Sequence, residues 1–279
     1  MKKTSIFGAG FVLGEYAKTY PNEVEIVARD EIIAPTDDIL YGISTVHNYH
    51  PKDGNPFIDI ETNLLHFMKV LDANINEGVV FNLVSTWFVY GKTSEIPAKE
   101  TSPCNPTGFY SITSRTREQL LISFCETFNL RYRILRLGGV FGIGDKKASA
   151  KKNALQWMVK ELAQGRNVEI YKGGVIRDYI DVRDVAQAIH LVLEKGELNQ
   201  IYNISNGQGI NIESLIDIAH RESGYRGTVG MKDVPEFHKT VQIPQFYADN
   251  SKLKSLGYVQ RYDIKNTIKE LVNYYKDEN

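Results

Sequence analysis

Short apolar runs rich in β-branched residues alternate with longer segments of helical periodicity along most of this 279-residue sequence. The predicted strands are residues 4–7, 24–27, 39–43, 79–84, 132–137, 179–182 and 201–204. The predicted helices between them are residues 12–18, 60–73, 114–128 and 185–193. This alternation is typical of βαβ units, so it predicts an α/β fold built on a parallel sheet.

Charge and composition exclude several classes of protein. Lys and Arg number 33 and Asp and Glu number 34, for a formal net charge of −1, whereas a nucleic-acid footprint usually requires clustered excess basic residues. No apolar run approaches the roughly 18 residues of a membrane helix. Two cysteines, Cys104 and Cys125, make neither a disulfide framework nor a metal-ligand cluster. We therefore expect no nucleic-acid, membrane or metal partner and a reducing, cytoplasmic compartment.

The first residues, MKKTSIFGAGFVLG, superficially imitate a secretion signal because two lysines precede an apolar run. Glycines interrupt that run, Glu15 ends it, and no small-residue cleavage site follows. We interpret the segment as a strand that enters a glycine-rich turn, and secretion is the disfavoured alternative.

One strand–helix unit is abbreviated. About a dozen residues separate the second and third predicted strands, and Pro35 lies among them, whereas a complete crossover needs at least about 10–12 residues beyond its strands. We therefore expect a trimmed sheet edge on the side where the adenine of a dinucleotide normally lies.

The glycine turn after the first strand predicts a dinucleotide site. Glycines permit a tight turn and close approach to a pyrophosphate, and the following helix N-terminus supplies N–H donors. We predict Gly8, Gly10, Phe11 and Val12 as cofactor-binding residues of a doubly wound, Rossmann-type domain. The spacing G-x-G-x-x-x-G, which ends at Gly14, departs from the usual fingerprint, so a simple turn is the alternative.

Arg29 and Asp30 follow the second predicted strand, about 20 residues after the first glycine, where a ribose-reading residue belongs. An acid there bonds the 2′-hydroxyl of NAD, and an arginine accommodates the 2′-phosphate of NADP. Because Arg29 comes first, we predict NADP, with NAD possible. A solvated charge pair is the alternative.

The densest run of charge contains Lys146, Lys147, Lys151 and Lys152. We interpret it as a solvated loop, and a cationic lid over a phosphate is the alternative.

Four segments together resemble the nucleotide-sugar epimerases and reductases of the extended short-chain dehydrogenase/reductase family. They are FNLVSTWFVYG from Phe81, NPTGFYSITSRTREQL from Asn105, GGVIRDYIDVRDVAQAI from Gly173 and IYNISNGQGINIESL from Ile201. With FYADNSKLKSLGY near the C-terminus, the resemblance covers nearly the whole chain.

The resemblance implies roles for five residues. Thr86 matches a hydroxyl residue that bonds the reacting sugar oxygen, and Tyr110 matches the tyrosine that exchanges a proton with that oxygen beside the nicotinamide. Asn63 matches an asparagine that supports the site. Arg177 matches an arginine that clamps the substrate diphosphate, and Lys239 falls near a second phosphate-binding position. A salt bridge to Asp178 or Asp184 is the alternative role of Arg177.

The pattern breaks at Ser114, where the family has the lysine of Tyr-x-x-x-Lys. Ser114 can hydrogen-bond a ribose but supplies no charge to lower the pKa of the tyrosine, ordinarily about 10. Arg115 is expected to point away. Arg117, one turn beyond Ser114, or the charge of an oxidised cofactor is a candidate substitute, and a merely solvated Arg117 is the favoured alternative.

Two further departures concern packing and substrate contact. Gly139 replaces a sugar-contacting asparagine, and Leu13 occupies the position of the third glycine, which normally permits close strand–helix packing. Dehydratase activity is disfavoured because Thr86-Trp87-Phe88 lacks the Asp-Glu pair that elimination of water requires.

The favoured function is an NAD(P)-dependent 4-keto-sugar reductase or epimerase acting on a nucleotide-linked sugar, with a slight preference for reductase. The alternative is a degenerate family member that binds dinucleotide or sugar nucleotide without turnover. A dehydrogenase of another small molecule is disfavoured. We predict a dinucleotide-binding domain at 1–150, to which 176–204 returns, and a smaller C-terminal substrate-binding lobe from 146–175 and 205–260. A homodimer follows by analogy only.

Overall fold

Parallel strands form the central sheet of the computed structural model, which describes residues 3–93 and 95–278. In chain order the strands are Thr4–Phe7 (β1), Val24–Ile26 (β2), Asp38–Tyr41 (β3), Val80–Thr86 (β4), Arg131–Leu137 (β5), Gly139–Phe141 (β6), Val168–Tyr171 (β7), Ile176–Arg177 (β8), Tyr179–Asp181 (β9), Gln200–Ile204 (β10), Ile210–Asn211 (β11) and Val229–Lys232 (β12). The central sheet has the order β10-β5-β4-β3-β1-β2. The chain reverses its direction across the sheet between β1 and β3, the type of place where ligands bind in such folds.

Helices connect and cover these strands. They are Phe11–Thr19 (α1), Ile58–Ile60 (α2), His66–Ala73 (α3), Phe109–Thr127 (α4), Ala154–Ala163 (α5), Val182–Lys195 (α6), Ile212–Glu222 (α7), Glu236–Val241 (α8), Ser251–Ser255 (α9) and Ile264–Asp277 (α10). A π-helical segment, Glu61–Leu65, joins α2 to α3, and a 3₁₀ turn, Trp87–Tyr90, follows β4. The α/β fold with a parallel Rossmann-type sheet is therefore confirmed.

Six of the seven predicted strands lie in the central sheet, each within two residues of its predicted bounds. The seventh, β9, pairs instead with β6 in a separate two-stranded sheet. It has no place beside β5, because β4 and β10 already occupy both edges of that strand. The four predicted helical segments are also helical, although π-helical turns interrupt the segment 60–73.

The abbreviated strand–helix unit is confirmed. The chain passes from β2 to β3 without an intervening helix, and β2 is an edge strand that pairs only with β1 in the sheet. Ile26 at the end of β2 is 57% exposed. This edge of the sheet is therefore short and open to solvent.

A second hydrophobic core lies outside the central sheet. Apolar residues of α5, α7 and α10, such as Leu155, Leu215 and Leu271, pack together and against β7. The exact division into residues 1–150 and a smaller lobe stays a prediction. No helix within residues 3–93 and 95–278 combines the length and apolar character needed to cross a bilayer.

Candidate active site

A cavity of about 1460 Å³ opens at the carboxyl ends of β1, β3, β4 and β5, and residues of segments 169–175 and 238–244 also border it. Carboxyl ends of parallel strands meet at one edge of a sheet, which is why residues far apart in sequence converge there. Of the predicted site residues, the cavity is bordered by Gly8, Gly10, Phe11, Val12, Thr86, Tyr110, Arg177 and Lys239.

The glycine turn is shaped to receive an anion. Gly8 has a φ of +87°, and a Cβ there would lie 2.9 Å from the backbone nitrogen of Ile43, so only glycine fits. Gly10 precedes α1, and a Cβ there would meet no atom closer than 4.0 Å. No described side chain caps α1, which leaves its first backbone N–H groups for a ligand. These features fit the pyrophosphate of a dinucleotide.

Leu13, at the position of the expected third glycine, packs tightly because a glycine faces it from another element. Leu13 is 2% exposed, and a Cβ on Gly42 would lie 2.6 Å from its Cδ1. Gly42 directly follows β3. The small residue of this helix–strand contact therefore lies at the end of the strand and not in the helix. The departure at Leu13 therefore preserves close packing of α1 against the sheet.

Thr86 and Tyr110 meet at the cavity from two different elements. Thr86 ends β4, and Tyr110 lies in the first turn of α4. Asn48 fixes that turn, because its Oδ1 accepts a hydrogen bond of 3.1 Å from the backbone N–H of Ser111. A Cβ on Gly108 would overlap the Asn48 side chain at 2.2 Å, so glycine permits this contact.

Burial raises the pKa of the Tyr110 phenol above its ordinary value. The nearby hydroxyl of Thr86, the positive charge of Arg117 and the nearby hydroxyl of Ser114 lower this pKa, while the charge of Asp59 raises it further. Because burial dominates, the phenol is protonated at neutral pH. The phenol of Tyr110 therefore carries its proton in the ligand-free protein.

Ser114 is fully buried and does not border the cavity. Its hydroxyl oxygen lies close enough to lower the pKa of Tyr110, yet it makes no hydrogen bond of ordinary geometry with a described residue. The structure does not bring Ser114 to the cavity wall, so its contact with a ribose stays a prediction.

The expectation that Arg117 is solvated is wrong. Arg117 is 1% exposed, borders the cavity, and donates hydrogen bonds to the backbone carbonyls of Ile43 and Val84. Helical spacing alone could not reveal this, because the rings of Tyr41 and Phe67 from other elements cover the guanidinium. Arg115 instead pairs with Glu118, as expected of a residue that points away from the site.

Asn63 lies behind the cavity rather than in its wall. It is fully buried in the π-helical segment, and its amide nitrogen donates to the hydroxyls of Thr45 and Thr113, both at 2.8 Å. Its amide oxygen accepts from the backbone N–H of Thr45 at 2.9 Å. Asn63 thus joins the loop after β3 to α4, the helix that carries Tyr110.

Arg177 forms no salt bridge to either of its two candidate partners, so the alternative role is wrong. Backbone N–H groups of Asn206 and Gly207 bond the carboxylate of Asp178, and those of Arg261 and Tyr262 bond Asp184.

The guanidinium of Arg177 instead donates to the carbonyls of Ile176 and Pro244, at 2.9 and 3.1 Å, and lies 5.1 Å from the centre of the Trp87 ring. Burial lowers the pKa of Arg177 to about 10, so it remains positive at neutral pH. A positive group at the cavity wall without a carboxylate partner among the described residues suits an anionic ligand.

The other basic candidates are more exposed. Lys239 pairs with Glu236 at 3.0 Å on α8. The four lysines of the segment 146–152 all border the cavity, where Lys152 pairs with Asp145 and Lys151 with Asp53. Because these lysines lie at the rim of the cavity, a cationic lid remains an alternative to a purely solvated loop.

Arg29 is exposed beyond the end of β2 and does not border the cavity. Its predicted contact with a ribose phosphate therefore stays a prediction.

Gly139 borders the cavity, but a Cβ there would lie 2.9 Å from the Tyr179 ring. The ring of Tyr179 thus takes the space that an asparagine side chain would need at position 139.

Sequence reasoning missed a cluster that follows β3. His47 and Tyr49 border the cavity, and Tyr49 hydrogen-bonds His238 of α8. His47 stacks on His50, with ring centres 4.0 Å apart, and His50 contacts the buried carboxylate of Asp59. The location of His47 and Tyr49 in the loop after β3 could have identified them as candidate site residues. Nothing in the sequence indicates that His238 is their neighbour.

Comparison with known proteins identifies the class. The family model described as the NAD dependent epimerase/dehydratase family matches residues 28–205, so the chain belongs to this family. It is also an enzyme, as the resemblance implied.

Relatives and solved structures agree with this family. A Methanocaldococcus jannaschii protein that carries the provisional name UDP-glucose 4-epimerase is 29% identical over 230 residues, which cover 81% of this chain and 72% of that protein. The UDP-glucose 4-epimerase of Thermotoga maritima, solved with UDP-glucose, has a TM-score of 0.88 at 22% identity and covers 100% of this chain and 99% of its own. RMD of Pseudomonas aeruginosa, solved with NADPH, has a TM-score of 0.84 at 19% identity, with coverages of 99% and 100%. The solved structures share the fold of this chain, and the description of its family as NAD dependent supports a nicotinamide dinucleotide as the cofactor.

Proposed function

We propose that this enzyme is an NADP-dependent oxidoreductase of nucleotide-linked sugars, either a 4-keto-sugar reductase or an epimerase. One observation carries the proposal: the hydroxyls of Thr86 and Tyr110 lie at one cavity, which the uncapped start of α1 and the guanidinium-bearing Arg177 also border. A carbonyl needs a proton donor, a diphosphate needs a fixed cation, and a dinucleotide needs free backbone N–H groups.

The cofactor would lie against the glycine turn. Gly8, Gly10, Phe11 and Val12 would hold the pyrophosphate, for which the uncapped α1 provides donors. Arg29 is exposed and could meet a 2′-phosphate beyond the open edge of β2, which favours NADP over NAD. When bound, a nicotinamide dinucleotide supplies or accepts hydride.

The protonation of Tyr110 favours reduction. In a reduction, Tyr110 donates its proton to the carbonyl oxygen, to which the Thr86 hydroxyl also hydrogen-bonds. Because burial raises the pKa of Tyr110, the phenol carries the required proton at neutral pH. The oxidation that begins an epimerisation requires a phenolate instead, so the reductase is the preferred form of the proposal.

Substrate binding is assigned to two basic residues that border the cavity. Arg177 clamps the diphosphate with its planar guanidinium, and Lys239 provides a second, more mobile positive charge at the rim. Asn63 holds the loop and helix that surround Tyr110 and does not contact substrate.

Compartment and assembly are also part of the proposal. Two free cysteines suit the reducing cytoplasm. Exposed apolar side chains on α4 and the π-helical segment, including Leu65, Phe109 and Ile112, offer a surface for a homodimer.

The test is incubation of the purified enzyme with NADPH or NADH and a panel of nucleotide-linked 4-keto sugars, followed by nicotinamide absorbance and product analysis. Oxidation of the cofactor that is lost in Tyr110→Phe supports a reductase, and an isomerised product without net oxidation supports an epimerase. Proton transfer by a positioned side chain typically contributes about 100- to 10,000-fold, which is the expected loss in Tyr110→Phe.

The binding-only alternative makes a different prediction. Tight binding of cofactor and sugar nucleotide without turnover, together with activity gained in Ser114→Lys, would replace the proposed enzyme activity with the degenerate function.

A further inference from the structure

Tyr110, Ser114 and Arg117 follow one face of α4. Positions i, i+4 and i+7 of a helix lie on one stripe, and long helical side chains lean toward the N-terminus. Helical geometry therefore directs the side chain of Arg117 toward the Tyr110 end of this stripe, and the charge of Arg117 acts on the Tyr110 phenol. Tyr110 and Arg117 border the cavity, whereas Ser114 lies buried between them.

Neutral groups hold the guanidinium of Arg117 in place. Its Nη1 donates to the carbonyl of Ile43 at 2.7 Å, and its Nη2 donates to the carbonyl of Val84 at 3.1 Å. Its Cζ lies 6.0 Å from the ring centre of Tyr41 and 5.9 Å from that of Phe67. These contacts fix the orientation of Arg117 without cancelling its charge.

No carboxylate among the described residues forms an ion pair with Arg117. The adjacent Glu118 turns its carboxylate to Arg136 and Arg115, each at 2.8 Å. Unpaired arginines are rarely fully buried, because the removal of a charge from water is costly. An arginine that is buried in this way beside a cavity requires an explanation other than stability.

The charged and titratable groups that face this pair within the described residues come from three elements. Tyr41 of β3 and Glu118 of α4 act electrostatically on Arg117, although Glu118 pairs with other arginines, and Asp59 of α2 acts on Tyr110. The charge of Asp59 opposes that of Arg117 at the phenol, and the effect of Arg117 is the larger.

We propose that Arg117 is a positioning residue that acts through Tyr110: its fixed positive charge stabilises the phenolate that forms when Tyr110 gives up its proton. This rests on the proposed function, in which hydride adds to the carbonyl carbon while the Tyr110 O–H bond breaks and an O–H bond forms on the sugar. Water then returns a proton to the phenolate. The charge that a lysine at position 114 would supply thus comes from the next turn of α4.

The first test measures Tyr110 in the ligand-free protein. The Cζ resonances of ¹³C-labelled tyrosines are followed against pH by NMR, and Tyr110→Phe assigns the signal. Arg117→Gln keeps an N–H donor for the Ile43 carbonyl but removes the charge, so we expect the pKa of Tyr110 to rise by about one unit or more. Arg117→Lys keeps the charge and is expected to stay near the parent value. Arg115→Gln removes a charge from the same helix and is expected to leave the signal unchanged.

The second test moves the charge. Arg117→Gln is expected to lower kcat about tenfold or more, and addition of Ser114→Lys to that variant is expected to restore both kcat and the Tyr110 titration. A folded Arg117→Gln protein with an unchanged Tyr110 pKa overturns the proposal, as does a folded double variant without recovery of either property.

Two controls keep the result decisive. If Arg117→Gln does not fold, the test uses Arg117→Lys and the double variant Arg117→Gln/Ser114→Lys. A Tyr110 pKa that is raised above the parent value in both variants overturns the proposal. If no sugar nucleotide is turned over by the parent, the proposed function fails, whereas the titration of the ligand-free protein still decides the role of Arg117.

Discussion

The arginines at the cavity wall differ from those that hold the scaffold together. Arg117 and Arg177 border the cavity and, within the described part of the chain, donate only to backbone carbonyls. Arg136 and Arg183 lie outside it and pair with carboxylates, with Glu118 at 2.8 Å and with Asp181 at 2.7 Å. The same side chain therefore occupies two electrostatic settings within one molecule.

The difference separates stability from chemistry. A buried cation with a buried anion is nearly neutral as a unit, so the fold retains it without help from a ligand. A buried cation without an anion is unfavourable for the fold, and a substrate phosphate or a developing phenolate relieves it. In the proposed function, these two arginines therefore mark the part of the cavity at which negative charge arrives or forms.

The largest effect on stability is expected where a pair is broken. Glu118→Gln leaves Arg136 buried without its anion and should lower the free energy of unfolding by about 3–5 kcal/mol. Urea denaturation measures this loss. Glu126→Gln, the same substitution at an exposed position of α4, is the control, and an equally small effect in both variants would contradict the scaffold role of Glu118.

The reverse pattern is expected at the cavity wall. Charge-assisted hydrogen bonds contribute about 1.5–3 kcal/mol, so Arg177→Met should raise KM for the sugar nucleotide about 10- to 100-fold. The free energy of unfolding should not fall, because the substitution removes a half-buried charge that has no carboxylate partner among the described residues. Arg183→Met should do the opposite, losing stability at constant KM. A stability loss in Arg177→Met like that of Arg183→Met would break the comparison.

A contact of shape rather than charge gives a smaller expected effect. Gly42→Ala places a methyl group against Leu13 and should cost about 1–3 kcal/mol of unfolding free energy. Leu13→Ala in the same protein should remove the conflict, which a double-mutant cycle measures as a favourable coupling. Additive effects of the two substitutions would mean that Leu13 and Gly42 do not share this space.

The smallest effect concerns pH. Because burial raises the pKa of Tyr110 above about 10, the protonated donor is fully present between about pH 7 and about pH 9. The single-turnover rate of reduction should be constant over this range and fall as pH rises through the raised pKa. Stopped-flow measurement of cofactor oxidation tests this, and a midpoint of decline below about pH 9 would contradict the dominance of burial at Tyr110.

Most of the fold could be predicted because hydrophobic periodicity reports burial directly. The strands and helices of the central sheet follow such patterns, and α7 and α10 carry equally clear apolar stripes that sequence reasoning left unused. The pairing of β9 could not be predicted, because a three-residue run shows no preference between the central sheet and a separate one.

The candidate site was predictable only in part. Resemblance to the motifs of the family identified Thr86, Tyr110 and Arg177, because such motifs contain the residues that carry out the reaction. The burial of Arg117 was missed because it depends on Tyr41 and Phe67, which reach α4 from elements distant in sequence.

The exchange between Leu13 and Gly42 also bears on how such enzymes are recognised. Close packing of a helix against a strand requires a glycine at the point of contact, and this glycine can belong to the helix or to the strand. A fingerprint written for a single stretch of chain records only one of these two solutions. Motif searches that score both residues of the contact would also find proteins in which the glycine lies on the strand instead of the helix.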